Sequence, residues 1–438
     1  MTSSGPPSGT PRVMSPRRDQ LEWQTVDLET LLAADHRARV IWAAVERLDL
    51  RAFYAEIAAR GSAPGRSAHD PKLLLALWLY ATSEGVGSAR QLERLCARDL
   101  AYRWLCGGVT PNHHALSDFR VRHGDKLDVL MTQVLASLMN AHLVTLTTIA
   151  QDGMRVRASA GAASYRRLPR LEMCREQAKA RIAQLRKELD EDPAASSVRE
   201  KKAQERAATD RLARVEQALK VIPKMAEVQQ RNAGRAGGGK KSKAKNRAPK
   251  EPRASTTDPE ARVMKMPDGG FRPAYNVQLA TDVDARIIVG VEVTNEGTDA
   301  RQLVPMLDQL ERRTNRRPKR VLVDGGFGTL ASVDEAEKRQ IEVYAPVPVP
   351  RKEGVDPHAR KRDDTDETAR WRARMKTDEA KALYKQRAAT AETVNADLRC
   401  WRGLDRLRVR GQQKARAVAL IAALTHNILR AERLLAAA

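Results

Sequence analysis

The sequence predicts an α/β protein: a mixed sheet with a long helical insertion, preceded by an all-α unit. Three observations carry this. Apolar residues recur at helical spacing through the first third of the chain. β-Branched runs then appear at 144–151, 275–281, 287–293, 320–324 and 341–346. Between the first two runs, residues 167–232 keep a heptad-like apolar spacing. With 438 residues and 42% hydrophobic content, the chain can bury a sizeable core, spread over about two or three domains.

In chain order, the first twenty residues are rich in Ser, Pro and Arg and read as disordered, so a tail is expected at 1–22. A helical unit is expected at 23–140. Leu28, Leu31, Leu32, Val40, Ile41 and Val45 keep helical periodicity. Asp70 and Pro71 open D-P-K-L-L-L-A-L-W-L-Y-A as N-cap and first helical residue. Gly85-Val86-Gly87-Ser88 ends that helix, and Ser88 caps A-R-Q-L-E-R-L-C. A short helix near 98–105 and a turn at Gly107-Gly108 lead to P-N-H-H-A-L-S-D-F-R. Short helices between Gly turns, carrying Arg90, Arg94, Arg120 and Arg122, suit a helix-turn-helix-like unit. A small bundle without DNA contact has the same pattern.

Residues 141–438 form the second unit. V-T-L-T-T-I-A-Q reads as a strand ending at Asp152-Gly153. Leu171, Ala178, Ile182, Leu185 and Leu189 are followed, after D-P-A-A-S-S, by Ala208, Leu212, Val215, Leu219 and Ile222. This is an antiparallel helical hairpin, inserted at about 165–255. Arg235 to Lys250 holds seven basic residues and no acid, a linker that lies along phosphates or stays solvated. Strands Y-N-V-Q-L-A-T and I-I-V-G-V-E-V are joined by D-V-D-A as a hairpin. A helix from D-A-R-Q-L-V, the strand R-V-L-V-D, a helix at 330–339 and the strand I-E-V-Y-A-P follow. An antiparallel meander feeding two parallel crossovers gives a mixed sheet. Without the insertion, this is the element order of an RNase H-like domain.

Lys and Arg outnumber Asp and Glu by 78 to 55, a net charge of +23 that points to nucleic acid. The four cysteines, Cys96, Cys106, Cys174 and Cys400, form no zinc-finger spacing and read as reduced thiols. No membrane-length apolar run and no signal-peptide core are present, so a cytoplasmic, nucleoid-associated protein is expected.

Asp152 and Asp324 each end a β-run and each precede Gly. Val321, Leu322 and Val323 form a continuous apolar run, as in a strand covered on both faces. A carboxylate at its tip is costly unless paired. Two such acids on adjacent strands need a cation between them, and hard oxygens suit Mg²⁺ or Mn²⁺. The plain alternative is that D-G is only a turn. A third acid is sought on the helix from Tyr384 to Arg399. At about 100° per residue, Tyr384, Glu392, Asn395 and Arg399 share one side, with Arg387 at its flank. An ordinary surface with i, i+4 pairs has the same appearance.

At these residues the chain resembles the DDE transposases of bacterial insertion sequences, in the branch with a Tyr-Arg-Glu-Lys signature. D-P-K-L-L-L-A-L-W-L-Y-A, R-Q-L-E-R and P-N-H-H-A-L-S-D-F-R resemble its N-terminal DNA-binding helices. A-Q-D-G-M-R-V-R-A-S-A resembles the first-Asp block, T-T-D-P-E-A-R-V-M-K and P-A-Y-N-V-Q-L-A-T-D the middle blocks, and V-L-V-D-G-G-F-G the second-Asp block. Y-x2-R-x4-E-x6-R resembles the signature, with Arg399 where Lys is usual and Phe327 where the second-Asp block has Tyr. The closing helix, including Asn427, is also similar. The resemblance implies a transposase that binds terminal inverted repeats, then cleaves DNA and transfers strands. It implies two metal ions held by Asp152, Asp324 and Glu392, with Tyr384, Arg387, Asn395 and Arg399 on DNA. It also implies double-stranded DNA as partner and a homodimer on DNA. The rival readings are a catalytically inactive or domesticated DNA-binding protein and a different RNase H-like nuclease.

Overall fold

The computed structural model describes residues 27–60, 67–191, 198–235, 251–350 and 354–437. The tail at 1–22 and nearly all of the basic linker lie outside the described residues. Seven helices come first: α1 Arg37–Glu46, α2 Arg51–Tyr54, α3 Pro71–Ser83, α4 Ala89–Arg98, α5 Leu100–Cys106, α6 His113–Arg122 and α7 Gly124–Asn140. Their starts are chemical. The Asp70 carboxylate accepts from the Lys72 N–H with Pro71 at the first position, and Ser88, Asp99 and Asn112 cap α4, α5 and α6. Helix α3 is buried all round, including Leu75, Leu77 and Leu79. Each such leucine contributes about 1.5–3 kcal/mol of burial.

The strands are β1 Thr148–Arg157, β2 Tyr165–Arg166, β3 Ala254–Ser255, β4 Arg262–Lys265, β5 Phe271–Asp282, β6 Ile288–Thr294, β7 Arg320–Leu322 and β8 Glu342–Tyr344. β5 lies antiparallel to β1 on one side, and to β4 and β6 on the other. β7 and β8 continue from β1 in parallel. The mixed sheet therefore has the meander and two parallel crossovers expected. Sequence reading missed β4, whose hairpin to β5 turns at Pro267-Asp268-Gly269-Gly270.

Helices α8 Leu168–Glu191 and α9 Val198–Arg235 pack on each other through Leu171, Ala178, Ile182, Leu185, Val215 and Ile222. This is the helical hairpin the spacing predicts. Then come α10 Leu303–Thr314, α11 Leu330–Lys338, α12 Asp366–Lys376, α13 Asp378–Arg387, a π-helical turn Ala388–Glu392, α14 Thr393–Cys400 and α15 Gln412–Ala437. The sequence predicts that α10 begins at Asp299. It begins four residues later, because the Asp299 side chain is taken by the sheet. α15 packs on α3, α7 and β6, so the N-terminal helices and the sheet share one apolar core. Among the described residues no helix is long and apolar enough to cross a membrane.

Candidate active site

The sequence predicts that β1 stops at Asp152. It runs on to Arg157, because β5 pairs with it from Ile149↔Asp282 to Arg157↔Ala274. On its other side β7 is short, and the parallel pairing ends at Ala150↔Leu322. Two residues further in that register, Asp152 comes level with Asp324. Both acids thus sit where β7 has ended and the edge of β1 is open, the usual place for a site on an open sheet. Below them Val321, Leu322 and Val323 are fully buried. Asp324 Oδ1 accepts from the Gly326 N–H (2.8 Å) and the Phe327 N–H (3.3 Å). The D-G-G-F turn is therefore closed by the acid itself and anchored by the buried Phe327 ring.

The C-terminal helices bring the other residues over Asp152. Asn395 Nδ2 donates to Asp152 Oδ2 at 3.0 Å. Arg387 Nη1 lies 3.8 Å from the same oxygen, and its Nη2 lies 3.4 Å from Glu392 Oε1. A single straight helix does not do this. Eight residues at about 100° each leave Arg387 and Asn395 about 80° apart. The π turn between them absorbs one extra residue and brings them to within about 20°. It also packs on β1 and β5.

Burial pushes the Asp152 carboxyl up to about 6, against the pull of Arg387 and the Gly153 N–H, and the charges of Asp324 and Asp299 add to the rise. Burial likewise raises the Tyr384 hydroxyl, despite Arg387 beside it, so it remains a proton donor. Arg399 lies partly exposed on α14, and among the described residues it has no ion-pair partner.

Asp152, Asp324, Tyr384, Arg387 and Asn395 are thus brought together. Glu392 is not drawn into the group. Its side chain is 63% exposed and reaches Asp152 only through Arg387. Among the described residues no three His, Cys, Asp or Glu side chains stand close enough to hold one ion. Sequence reading missed Asp299, which lies behind the site. Its Oδ1 accepts from Asn276 Nδ2 and Gln278 Nε2, both at 2.6 Å, and its Oδ2 from Arg155 Nη2 at 2.9 Å. The signal was the polar residue at every second place in Y-N-V-Q, an odd pattern for a buried strand.

Two families match the chain. Transposase DDE domain covers residues 243–428, and Transposase domain (DUF772) covers residues 26–122. A chain that carries both is a transposase. More narrowly, it belongs to the insertion-sequence DDE transposases, enzymes that cut DNA and transfer its strands. The first match takes in Asp324 and Glu392 but begins after Asp152. No curated protein and no solved structure matches.

Proposed function

We propose that this protein moves its own insertion sequence, using Asp152, Asp324 and Glu392 as the acids of an RNase H-like catalytic domain. The observation that carries this reading is the β1–β7 register, which sets two carboxylates side by side at an open strand edge. The donor set fits divalent cations: hard carboxylate oxygens, with the Arg387 guanidinium now standing between Asp152 and Glu392 as the positive charge they require. Two Mg²⁺ or Mn²⁺ ions, when bound, would polarise the scissile phosphate and stabilise its leaving oxygen.

The chain's own groups do the rest. Asn395 holds Asp152 Oδ2 in place. Arg387, freed from the carboxylates as DNA enters, binds a phosphate through its fork of N–H groups. Tyr384 donates its proton as a hydrogen bond to a phosphate oxygen, and Arg399 adds a point of backbone affinity. Helices α1 to α7, as a helix-turn-helix-like unit at 23–140, read the terminal inverted repeats. The two ends of the element are joined by a homodimer on DNA at the nucleoid.

The test is cleavage of a labelled duplex carrying the element's own end, with Mg²⁺ or Mn²⁺. The intact protein is expected to nick or cut at the end, and Asp324→Ala to bind without cutting. If both bind equally and neither cuts with either metal, the catalytic claim is wrong and a DNA-binding remnant is the better reading.

A further inference from the structure

The segment between α14 and α15 carries L-D-R-L-R-V-R at 404–410. Its start joins the end of β1: the Arg157 N–H donates to Asp405 O (3.1 Å), and the Leu407 N–H donates to Arg157 O (2.8 Å). Extended backbone sends alternate side chains to opposite sides. Leu407 and Val409 are buried, while Arg406, Arg408 and Arg410 point to solvent. None of these three arginines, nor Arg157 beside them, has a carboxylate partner among the described residues. Three like charges on alternate positions, unpaired in a chain of +23, call for a polyanion.

The two ends of this strip have walls. At one end, the segment meets the α3–α4 turn so closely that a Cβ on Gly403 would lie 2.7 Å from Gly85 O. The cavity at that seam is lined by Arg120, Arg402, Arg406 and Arg408, and no carboxylate lines it. Arg120 is 5% exposed and stacks on Trp78 at 4.1 Å. Its Nη1 donates to Gly87 O, and its Nε has no partner among the described residues. At the other end, Arg408, Arg410 and Lys414 line a groove whose far side is α9, with Arg214. Burial, and then Arg410, lower the Arg214 pKa. Most of the acid oxygens on the groove floor are already engaged, though Asp258 Oδ2 has no partner among the described residues. Asp258 accepts from the Tyr275 hydroxyl and the Gly411 N–H, and Glu260 from Gln217 and the Gln412 N–H. Asp118 pairs with Arg122. Asp210 is the one groove carboxylate with neither an ion pair nor a hydrogen bond among the described residues.

We propose that Arg406, Arg408 and Arg410 form a track for the phosphate backbone of duplex DNA outside the active site, with the inserted α8–α9 hairpin as its outer wall. This rests on the transposase reading and gives the hairpin a role. The track reads no sequence. It would hold the duplex flanking the cut against the seam between the N-terminal helices and the sheet.

The full chain and its Arg406→Gln/Arg408→Gln/Arg410→Gln variant are titrated onto a labelled mixed-sequence duplex, without divalent metal, over a series of salt concentrations. The variant is expected to bind more weakly, with a slope of log K against log salt shallower by about 2.7, or about 0.9 for each phosphate no longer neutralised. Its thermal midpoint should match the parent, since the three side chains are exposed and unpaired. The triple Arg→Lys variant should restore the slope. Arg214→Gln should cost about 0.9 of slope by itself. An unchanged slope there removes the hairpin from the track. Equal affinity and slope for the triple Gln variant and a binding parent overturn the track and leave the transposase reading standing. A parent that binds no duplex removes both. An RNA duplex bound more tightly than DNA, with the same weakening in the variant, replaces DNA as the occupant.

Discussion

Gly153 shows how little room the residues around the acids have. A Cβ there would overlap Asp299 Oδ1 and come within 2.5 Å of Gln278 Nε2. The buried Asp299 carboxylate cannot simply retreat, because Asn276, Gln278 and Arg155 hold it. Gly153→Ala should therefore destabilise the fold by about 1–3 kcal/mol through overpacking and shift the strand that carries Asp152. Urea unfolding measures the first effect and cleavage of the element end the second. A variant with parental stability and activity would show that the Asp299 network yields freely. Asn395 is a gentler probe. It is partly exposed, and its amide donates to Asp152 Oδ2. Asn395→Ala should cut cleavage about 10- to 100-fold, the usual cost of losing a group that orients a metal-ligating carboxylate, the role proposed for Asp152, with the urea midpoint nearly unchanged. Full activity in that variant would make the contact incidental.

At the scale of elements, the π turn is where local sequence stops being informative. Helix starts are settled within about four residues by a capping side chain and its N–H partners, so Asp70-Pro71 and Ser88 were legible directly. Heptad spacing likewise exposed the α8–α9 pair. The extra residue between Arg387 and Asn395 was not legible, since A-A-T-A-E suits an α-helix as well as a π turn. Only contact with β1 and β5 selects between them. The run of β1 through Asp152 was hidden for the same reason: its partner in β5 lies more than a hundred residues away. The acids could be named from V-L-V-D-G-G-F-G and A-Q-D-G, but their shared level on the sheet is a matter of register. Deleting Ala389, an exposed residue of the turn, should return the segment to α-helix, and seven residues at about 100° each would keep Arg387 and Asn395 within about 20° of one another. We expect cleavage, DNA binding and helical circular dichroism all to persist. Loss of cleavage with DNA binding intact would mean that the π turn sets more than the angle between these two residues.

Across the whole molecule, the sheet's long edge depends on helices distant in sequence. β6 pairs with β5 on one side only, which leaves a row of free N–H and C=O groups on the other. Side-chain amides close that row. Asn427 of α15 accepts from the Ile288 N–H at 2.8 Å and donates to its carbonyl at 2.7 Å. Gln309 of α10 does the same for Val291, both bonds at 2.9 Å. Arg313 donates to Val289 O, and Gln412 to Val293 O. Two amides thus continue the ladder as a further strand would, and they fasten α10 and α15 to the sheet that carries Asp152. Asn427 is fully buried, so Asn427→Leu would leave both Ile288 groups without water or partner. At about 1–3 kcal/mol for each orphaned group, the variant should lose about 2–6 kcal/mol. Gln412→Leu, which frees one carbonyl, should lose less. The Gln309→Leu/Asn427→Leu double variant should also associate with rising concentration, seen by light scattering, as its bared edge finds another chain. If Asn427→Leu unfolds at the parental urea midpoint and the double variant stays monodisperse, these amides are not what protects the edge.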